Sequence, residues 1–420
     1  MPLNVPIISC HDCGLLQQIS HMPEEGDIKC CRCNSTLRKR QRIAPSKSIE
    51  HTLILVITAL VLLIIANTYP ILQIVAEGHP LSTTLLSCVS YLFTHEMLFL
   101  AGLVFLTSIG APLIQLTGLL YLFLPLYFDH IPPYATQVYR WVRTVRAWSM
   151  LEVLMLGILV SVVKLSALAT VIPGIALVAF ALLILFIAAI LSTLDTEMVW
   201  EQIAPDTQTR ETQQYKINTQ LVNCHNCHLL CTVTTDHSHE GIFCSRCKTP
   251  LHFRKPNSLN RCTALVIAAT VLYIPANLLP VMVVSGMGQS EGDTIMSGVV
   301  YLANSGDMPL AIIVFIASIC VPTIKLLILT LLLITVHFKS QWRARDRTRL
   351  YRLTELIGRW SMVDIFVDTL MAALIQIEGL MIIKAGNGAI AFGAVVVLTI
   401  LAAMAFDPRL IWDNMEQVNE

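Results

Sequence analysis

Eight apolar segments constrain this chain more than any other feature of its sequence. Each one reaches the ~20 residues that a helix needs to cross the hydrocarbon core of a bilayer. Only 13% of the 420 residues are charged, whereas soluble domains average about 25%. The sequence therefore predicts an all-α polytopic membrane protein. The segments lie at roughly 52–73, 98–128, 148–169, 174–194, 263–283, 309–338, 361–383 and 387–406.

The positions of Lys and Arg predict how these segments are oriented. Basic residues cluster before the first segment, between the second and third, and between the sixth and seventh. The opposite loops, 74–97 and 284–308, contain no Lys or Arg. Because loops rich in Lys and Arg stay in the cytoplasm, we expect the basic side to face the cytoplasm. Both termini fall on that side, and the opening residues, MPLNVPIISC, do not have the pattern of a signal peptide.

The basic loop between the second and third segments has two interpretations. Arg140, Arg143 and Arg146 fall near one face of a helix and are interleaved with aromatic residues. This pattern fits an interfacial helix that contacts anionic lipid headgroups. It also fits a plain determinant of topology.

An internal repeat divides the chain into two similar halves. The paired Cys-x-x-Cys pattern recurs after 214 residues, and VLLIIANTYP at 61–70 matches VLYIPANLLP at 271–280. The two copies run in the same direction, which predicts a pseudo-twofold axis along the membrane normal. Each copy would contain a small cytoplasmic β zinc ribbon followed by about four transmembrane helices. The predicted domains are a zinc ribbon at 1–45, a transmembrane bundle at 50–200, a second ribbon at 218–258 and a second bundle at 261–413.

The two pairs of Cys-x-x-Cys motifs in each copy predict a metal site. Four thiolates can coordinate one tetrahedral Zn²⁺ at about 2.3 Å, and they leave no open position for catalysis. Iron fits the same sulfur cage, and a pair of disulfides is the alternative that a reducing cytoplasm disfavours. Cys31, His225 and Cys231 are neighbouring groups that could substitute for a ligand. The predicted zinc ligands are Cys10, Cys13, Cys30, Cys33, Cys224, Cys227, Cys244 and Cys247.

Two lysines, Lys164 and Lys325, lie inside apolar segments. A lysine at the centre of a bilayer costs about 2.5–3.5 kcal/mol on the insertion scale. Lys325 aligns with Gln115 in the repeat and Lys164 aligns with Gln376, so Lys and Gln exchange places between the halves. We therefore predict that these side chains meet in the protein interior, where a polar chain could relay protons or line a path for lipid headgroups. The alternative is that each lysine extends to the nearest interface.

Further polar and helix-breaking residues lie near the two lysines. Glu378 and Asp368 are candidate counter-charges, and Thr399 is a candidate hydrogen-bond partner. Pro112 and Pro322 fall in the middle of their segments. Because proline removes a hydrogen-bond donor and clashes with the preceding turn, we expect each to kink its helix.

Five longer motifs lie in the second half of the chain. They are PANLLP at 275–280, DTIMSGVVYL at 293–302, IVFIASICVPTIK at 313–325, GRWSMVD at 358–364 and FDPRLIWD at 406–413. Together with the paired ribbons, these motifs resemble the paraquat-inducible protein A family over essentially the whole chain. The resemblance implies lipid transport across the Gram-negative envelope, with a periplasmic tunnel of MCE-domain protein as the partner and phospholipids as the cargo.

The resemblance also implies that Lys164, Lys325 and Thr399 belong to a polar network in the membrane. Some family members carry an acidic residue three positions after the first lysine, where this chain has Ala167. A proton relay of that kind would therefore need another carboxylate, such as Glu378.

Three hypotheses for function follow. The main one is an inner-membrane subunit that moves or loads lipids, with the proton gradient as one source of energy. The chain contains no P-loop, GxSxG or HExxH motif, so we expect neither direct use of ATP nor an enzyme. The zero net charge gives no indication of a nucleic-acid partner. The alternatives are a structural adaptor that anchors an MCE tunnel, and a membrane-bound metal or redox sensor.

Overall fold

The computed structural model is predominantly helical, as the apolar segments predict. Two similar halves follow one another along the chain, and each begins with short strands around four cysteines. The residues that the structure describes are 7–18, 27–38, 45–76, 79–166, 170–194, 196–204, 219–234, 242–286, 289–306, 308–358, 360–374, 376–377 and 381–416.

The first half contains seven strands and eight α-helices in its described residues. We call residues 7–38 ribbon 1 and helices α1 to α8 bundle 1. The elements are β1 Ile7–Ser9, β2 Leu16–Gln18, β3 Ile28–Lys29, β4 Thr36–Arg38, α1 Pro45–Thr68, β5 Leu72–Ala76, β6 His79–Thr83, α2 Leu85–Thr94, α3 Leu98–Phe105, α4 Ala111–Tyr127, α5 Ala135–Arg146, α6 Leu151–Ser166, β7 Thr170–Pro173, α7 Ile175–Thr193 and α8 Thr196–Ile203.

The second half repeats this order, so the predicted tandem repeat is confirmed in the fold. We call residues 219–251 ribbon 2 and helices α9 to α16 bundle 2. The elements are β8 Thr219–Asn223, β9 Leu230–Thr234, α9 Ser258–Leu278, β10 Met282–Gly286, β11 Gln289–Asp293, α10 Ile295–Asn304, α11 Met308–Phe315, α12 Val321–His337, α13 Ala344–Ile357, α14 Val363–Leu374, β12 Gln376–Ile377, β13 Met381–Ala385, α15 Asn387–Ala405 and α16 Leu410–Glu416.

Seven helical segments of the described chain are long and apolar enough to cross a membrane. The prediction of one continuous helix over 361–383 is wrong. Helix α14 has 12 residues, which gives a length of about 18 Å, and strands β12 and β13 follow it. The polar residues Gln376 and Glu378 interrupt the apolar run at that point. The seven segments are Ile49–Thr68, Leu98–Tyr127, Ala135–Val163, Ile175–Thr193, Ser258–Leu278, Ala311–His337 and Asn387–Ala405.

The two mid-segment prolines follow a widened helical turn. Residues Leu106–Gly110 and Ile316–Cys320 form π-helical turns, and Pro112 and Pro322 lie at the start of α4 and α12 directly after them. A proline ring clashes with the carbonyl one turn earlier in a regular α-helix. A π-helical turn widens the helix locally, so each proline is accommodated by a bulge where the sequence predicted a simple kink.

The strands beyond each first helix form a small sheet in each half. Strands β6, β5 and β7 form an antiparallel sheet, and β11, β10, β13 and β12 form its counterpart. Gly174 and Gly386 donate backbone hydrogen bonds to the equivalent carbonyls of Ile71 and Val281. A Cβ at Gly174 would lie 2.0 Å from the Pro70 carbonyl oxygen, so this close backbone approach requires glycine.

The helices of each half pack in the same way, and two shorter helices join the halves. Helix α1 packs on α7 and α4, and α9 packs on α15 and α12. Between the halves, α6 packs on α14. Gly157 lies in this contact, where an added Cβ would come within 2.8 Å of the Phe366 Cβ. The two backbones therefore approach closely at this point, as small residues permit in membrane helix pairs.

Candidate metal centres and buried polar groups

Each ribbon builds its cysteine cluster from two tight turns. In ribbon 1, Gly14 N–H donates to the Cys10 carbonyl and Asn34 N–H donates to the Cys30 carbonyl, both at 2.9 Å. Gly14 and Asn34 have φ of 77° and 60°, a backbone region that Gly and Asn tolerate best. The turns bring both Cys-x-x-Cys pairs to one point. Ribbon 2 has the same turns, with His228 and Lys248 at φ of 57° and 55°.

The four sulfur atoms of ribbon 1 are spaced as a tetrahedral metal site requires. The Sγ atoms of Cys10 and Cys33 lie 3.5 Å apart, and those of Cys13 and Cys30 lie 3.6 Å apart. Metal–sulfur bonds of about 2.3 Å in a tetrahedron place neighbouring sulfurs about 3.8 Å apart. A disulfide needs a separation of about 2.05 Å. All four cysteines are buried and free, so the cluster can hold a metal ion.

Ribbon 2 has the same geometry. The Cys224 and Cys247 sulfurs lie 3.4 Å apart, and the Cys227 and Cys244 sulfurs lie 3.5 Å apart. All four are buried and free. Among the described residues, these two clusters are the groups of side chains that could hold a metal ion. Four thiolates fill the four positions of a tetrahedral metal ion, so a metal held in either cluster would have no open position for substrate.

Ribbon 1 packs on bundle 2, although it precedes bundle 1 in the chain. Arg352 of α13 donates from Nε to the Asp12 carboxylate at 2.6 Å. Its Nη2 atom also donates to the Cys33 carbonyl at 3.2 Å and lies 3.4 Å from the Cys33 sulfur. The Arg32 guanidinium stacks over the Trp412 ring at 4.6 Å. The side chain of Arg352 in bundle 2 thus contacts a candidate metal ligand directly.

Ribbon 2 packs on bundle 1 in the complementary arrangement. Arg143 of α5 donates to the Asn226 carbonyl, and its Nη2 atom lies 3.4 Å from His228 Nε2. Arg246 Nε donates to the Ala204 carbonyl at 3.2 Å. Burial, and then the Arg143 guanidinium, lower the pKa of His228 to about 4, so its neutral ring can accept this contact. The basic face of α5 therefore includes a docking residue, which neither interpretation of the sequence anticipated.

The two ribbons also touch each other. The rings of His11 and His228 lie 6.2 Å apart between centroids. Asn223 Nδ2 lies 3.5 Å from the Ser9 carbonyl oxygen. The ribbons therefore cross over to opposite bundles at a shared contact, which local sequence patterns give no means of predicting.

The Lys325 amino group is buried in the protein interior. Lys325 is 2% exposed, and its Nζ atom has no hydrogen-bond partner among the described residues. A Cβ built on Gly358, directly after α13, would lie 3.0 Å from this Nζ atom. The side chain is thus enclosed by protein, and the absence of a side chain at Gly358 provides part of its space.

Gln115 and Thr399 are buried as well, but they do not bond to Lys325. Gln115 is 2% exposed and its Oε1 atom has no partner in the described structure. Thr399 is 1% exposed, and its hydroxyl donates to the Val396 carbonyl of its own helix. Helices α12 and α15 pack on each other, so Lys325 and Thr399 belong to adjacent helices of bundle 2.

The second predicted Lys–Gln pair differs in backbone structure. Lys164 lies in the last turn of α6, whereas Gln376 begins strand β12. Glu378 lies outside the described residues. The roles of Lys164, Gln376 and Glu378 therefore stay predictions.

The FDPRLIWD motif forms a structural clamp that sequence reasoning did not identify. Asp407 is 1% exposed and accepts hydrogen bonds from Lys255 N–H at 3.0 Å and from Arg409 Nε at 3.0 Å. Its own N–H donates to the Ser258 hydroxyl. Burial opposes the charged carboxylate, but the Arg409 guanidinium outweighs it and holds the pKa of Asp407 below its usual value. The clamp joins the end of α15 to the start of α9.

Comparisons with known proteins agree with this architecture. The family described as "Paraquat-inducible protein A" matches residues 49–204 and 259–416, which are the two bundles without their ribbons. "Lipophilic envelope-spanning tunnel protein A" of Escherichia coli (strain K12) is 32% identical over 411 residues, covering 98% of this chain and 92% of that protein.

Two further relatives match over nearly the whole chain. "Intermembrane transport protein PqiA" of Escherichia coli (strain K12) is 29% identical over 414 residues, covering 98% of this chain and 96% of that protein. A "Probable intermembrane transport protein" of Haemophilus influenzae is 28% identical over 409 residues, covering 97% of this chain and 95% of that protein. No solved structure matches the chain.

Proposed function

This chain belongs to the paraquat-inducible protein A family, and from that membership we propose that it moves or loads lipids between the inner membrane and a periplasmic tunnel. The names of its relatives, which refer to intermembrane transport and to an envelope-spanning tunnel, support this proposal. The tunnel partner is a protein of MCE domains, and the cargo is phospholipid. The protein is a multi-pass membrane protein, and the seven long apolar helices among its described residues embed it in the bilayer.

The observation that carries the proposal is the buried amino group of Lys325, which has no hydrogen-bond partner among the described residues. An ionisable side chain within a membrane span is costly, and such groups mark substrate and ion paths. Lys325 lies in the apolar segment Ala311–His337, its Nζ atom has no described hydrogen-bond partner, and Thr399 is on the adjacent helix. We propose that the Lys325 side chain binds the phosphate of a lipid headgroup or exchanges a proton during transport. Lys164 and Gln115 would take part in the same path.

The ribbons have a supporting role in this proposal. Each holds one Zn²⁺ on four thiolates and stabilises the bundle on which it docks. The Lys and Arg distribution supports a cytoplasmic location for both ribbons and both termini. The loops at 74–97 and 284–308 would then face the periplasm, where a tunnel protein could contact them.

Complementation tests the role of Lys325. A bacterial strain that lacks this protein and shows an envelope defect would be supplied with wild-type protein, Lys325→Ala or Lys325→Gln. The glutamine variant copies the residue at the aligned position 115. We expect both variants to be present at wild-type levels in membranes and to fail to restore detergent resistance, because neither carries the ammonium.

Two outcomes would change the proposal. Full restoration by both variants would contradict the role of Lys325. The structural adaptor would be favoured if the Lys325 variants restored function and substitutions in loops 74–97 and 284–308 abolished it. An adaptor depends on its contact surface.

A further inference from the structure

The two ribbons differ at one position beside the cysteine cluster. The repeat displacement of 214 residues places Gln17 opposite Cys231. In ribbon 1, Gln17 Nε2 donates to the Cys30 sulfur at 3.0 Å, and its Oε1 atom accepts from Cys31 N–H at 3.3 Å. In ribbon 2, the Cys231 sulfur lies 3.9 Å from the sulfur of Cys244, which is the counterpart of Cys30. At this position beside the four clustered cysteines, ribbon 2 therefore carries a thiol where ribbon 1 carries an amide.

These two neighbours have different chemistry toward a cysteine ligand. An amide N–H can only donate a hydrogen bond to the sulfur, which supports the ligand as an outer partner. A thiol can be oxidised and can form a covalent bond with that sulfur. The two sulfurs of ribbon 2 would need to approach by about 1.9 Å to reach the length of a disulfide bond. Rotation of the Cys231 side chain on strand β9 is the movement that this requires.

Access to oxidants also distinguishes the two sulfurs. Cys231 is half-buried, whereas Cys244 is fully buried. Oxidation of cysteine is favoured at accessible thiols that lie next to a second cysteine able to resolve the product. Cys231 and Cys244 have this arrangement, because the accessible thiol is in contact with a buried one.

We propose that Cys231 is an oxidation site that forms a disulfide with Cys244 when the protein meets a peroxide. The Cys231 sulfur attacks the peroxide, the O–O bond breaks, and a sulfenic acid and one water form. The Cys244 thiolate then attacks the Cys231 sulfur. The S–S bond forms, the S–O bond breaks, and the hydroxide leaves as a second water after taking a proton. The two sulfurs lose two electrons in total, and the peroxide gains them.

The disulfide removes Cys244 from the set of four ligands of ribbon 2. Cys224, Cys227 and Cys247 alone leave one position of the tetrahedron open, and we expect this weakened site to lose its metal to a competing chelator. Ribbon 1 has Gln17 at the same place and retains its metal. The oxidation therefore acts on the ribbon that docks on bundle 1 through Arg143, and leaves the ribbon on bundle 2 unchanged.

Metal release from the full-length protein tests this proposal. The purified chain in detergent, loaded with zinc without oxygen, would receive stepwise additions of hydrogen peroxide. A chromogenic chelator would measure released zinc, and peptide mass spectrometry would identify disulfides. We expect wild-type protein to release one of its two zinc equivalents and to yield a peptide pair joined between Cys231 and Cys244. A reductant with added zinc restores the original content.

Two variants make the test specific. Cys231→Gln copies ribbon 1, and we expect it to retain both zinc ions over the same peroxide range. Cys31→Ser removes an exposed thiol of ribbon 1 whose described hydrogen bonds go through its backbone, and we expect it to behave as wild type. Equal zinc release from Cys231→Gln and wild-type protein would overturn the proposal. Disulfide mapping on the wild-type chain tests the proposal independently of any variant. Zinc release without a Cys231–Cys244 disulfide-linked peptide would also overturn the proposal.

Discussion

Ribbon 1 and ribbon 2 hold their cysteines in the same geometry, but they attach to the membrane bundles by different contacts. Ribbon 1 is fixed by the ion pair between Arg352 and Asp12, and the same arginine contacts the Cys33 sulfur. Ribbon 2 is fixed by hydrogen bonds from Arg143 and Arg246 to backbone carbonyls. A repeated cysteine module can therefore keep its geometry in both copies while the residues around it give each copy different contacts.

The same contrast continues into the membrane bundles. Helix α13 carries Arg352 and is followed by Gly358, which borders the Lys325 ammonium. In the first half, the position aligned with Gly358 is Arg146 and the position aligned with Lys325 is Gln115. Each half therefore has one basic residue in this pair of positions, which is Arg146 of α5 in the first half and Lys325 of α12 in the second. Helix α13 thus links ribbon 1, through Arg352, to the buried side chain of Lys325. In the described structure, ribbon 2 has no equivalent link to a buried lysine.

Loss of a cysteine ligand should have the largest effect and should reveal the crossed docking. Cys10→Ser and Cys224→Ser each remove one thiolate from a cluster whose metal contributes about 10–16 kcal/mol in comparable zinc-finger peptides. We expect the zinc content of each variant, measured by mass spectrometry, to fall from two ions to one.

Limited proteolysis of these two variants then tests the docking. We expect Cys10→Ser to expose cleavage sites around α13 and α16, and Cys224→Ser to expose sites around α5 and α8. Cleavage confined to the bundle that follows each ribbon in sequence would contradict the crossed arrangement.

Breaking the Arg352 contact should have the next largest effect. Arg352→Ala removes the arginine from the nearly buried Asp12 carboxylate, which keeps its contact with His11 Nε2 at 3.2 Å. Hydrogen bonds to charged groups contribute about 1.5–3 kcal/mol. We expect a decrease of this size in the free energy of unfolding, measured by denaturant titration in detergent. The matched control is Arg349→Ala on the same helix, because Arg349 makes an exposed pair with Asp346 that contributes about 0–1 kcal/mol. Equal destabilisation by both substitutions would show that Arg352 does not anchor ribbon 1.

Filling the space beside Lys325 should have a moderate effect on stability and a clear effect on function. The Cβ of Gly358→Ala would lie 3.0 Å from both Lys325 Nζ and the Thr354 carbonyl oxygen, and overpacking costs about 1–3 kcal/mol. We expect reduced complementation of the envelope defect with near-normal protein levels. Gly298→Ala is the control, because an added Cβ there meets no atom within 4 Å. A functional Gly358→Ala protein would show that the ammonium can move without loss of transport.

The smallest expected effect is a difference in thermal stability between substitutions of two aligned tryptophans, Trp200 and Trp412. Trp412 Nε1 donates to the Thr348 hydroxyl at 3.0 Å, whereas Trp200 Nε1 has no partner in the described structure. Trp412→Phe loses this hydrogen bond, which is worth about 0.5–1.5 kcal/mol, and Trp200→Phe loses none. Thermal unfolding in detergent should show a lower midpoint for Trp412→Phe than for Trp200→Phe. The reverse order would contradict the assigned hydrogen bond.

The features of this structure that could be predicted from the sequence are those with a local signal. The cysteine spacing is enough to predict the clusters, because two tight turns bring each Cys-x-x-Cys pair to one point. It is also enough to predict the repeat, because ten-residue matches such as those at 61–70 and 271–280 align directly. The burial of Lys325 agrees with the expectation that a costly charge in a membrane span faces protein.

Sequence reasoning failed where distant residues determine the structure. Asp12 and Arg352 are 340 residues apart, and the cysteine pattern that the two ribbons share does not indicate which bundle receives each of them. Hydropathy averaged over 361–383 concealed the break at Gln376, because the flanking residues are strongly apolar. The mid-helix prolines indicated an irregularity, but the choice between a kink and a π-helical turn depends on packing around the freed carbonyls.

Lipid transfer by the purified protein tests whether the buried Lys325 side chain serves lipid movement. The full-length chain would be reconstituted in vesicles with a fluorescent phospholipid, and transfer to acceptor vesicles would be followed with the periplasmic tunnel protein present and a pH gradient imposed. We predict transfer by wild-type protein, loss of transfer by Lys325→Gln, and normal transfer by Gly298→Ala. Wild-type transfer that Lys325→Gln leaves unchanged would contradict the claim that the buried ammonium serves lipid movement.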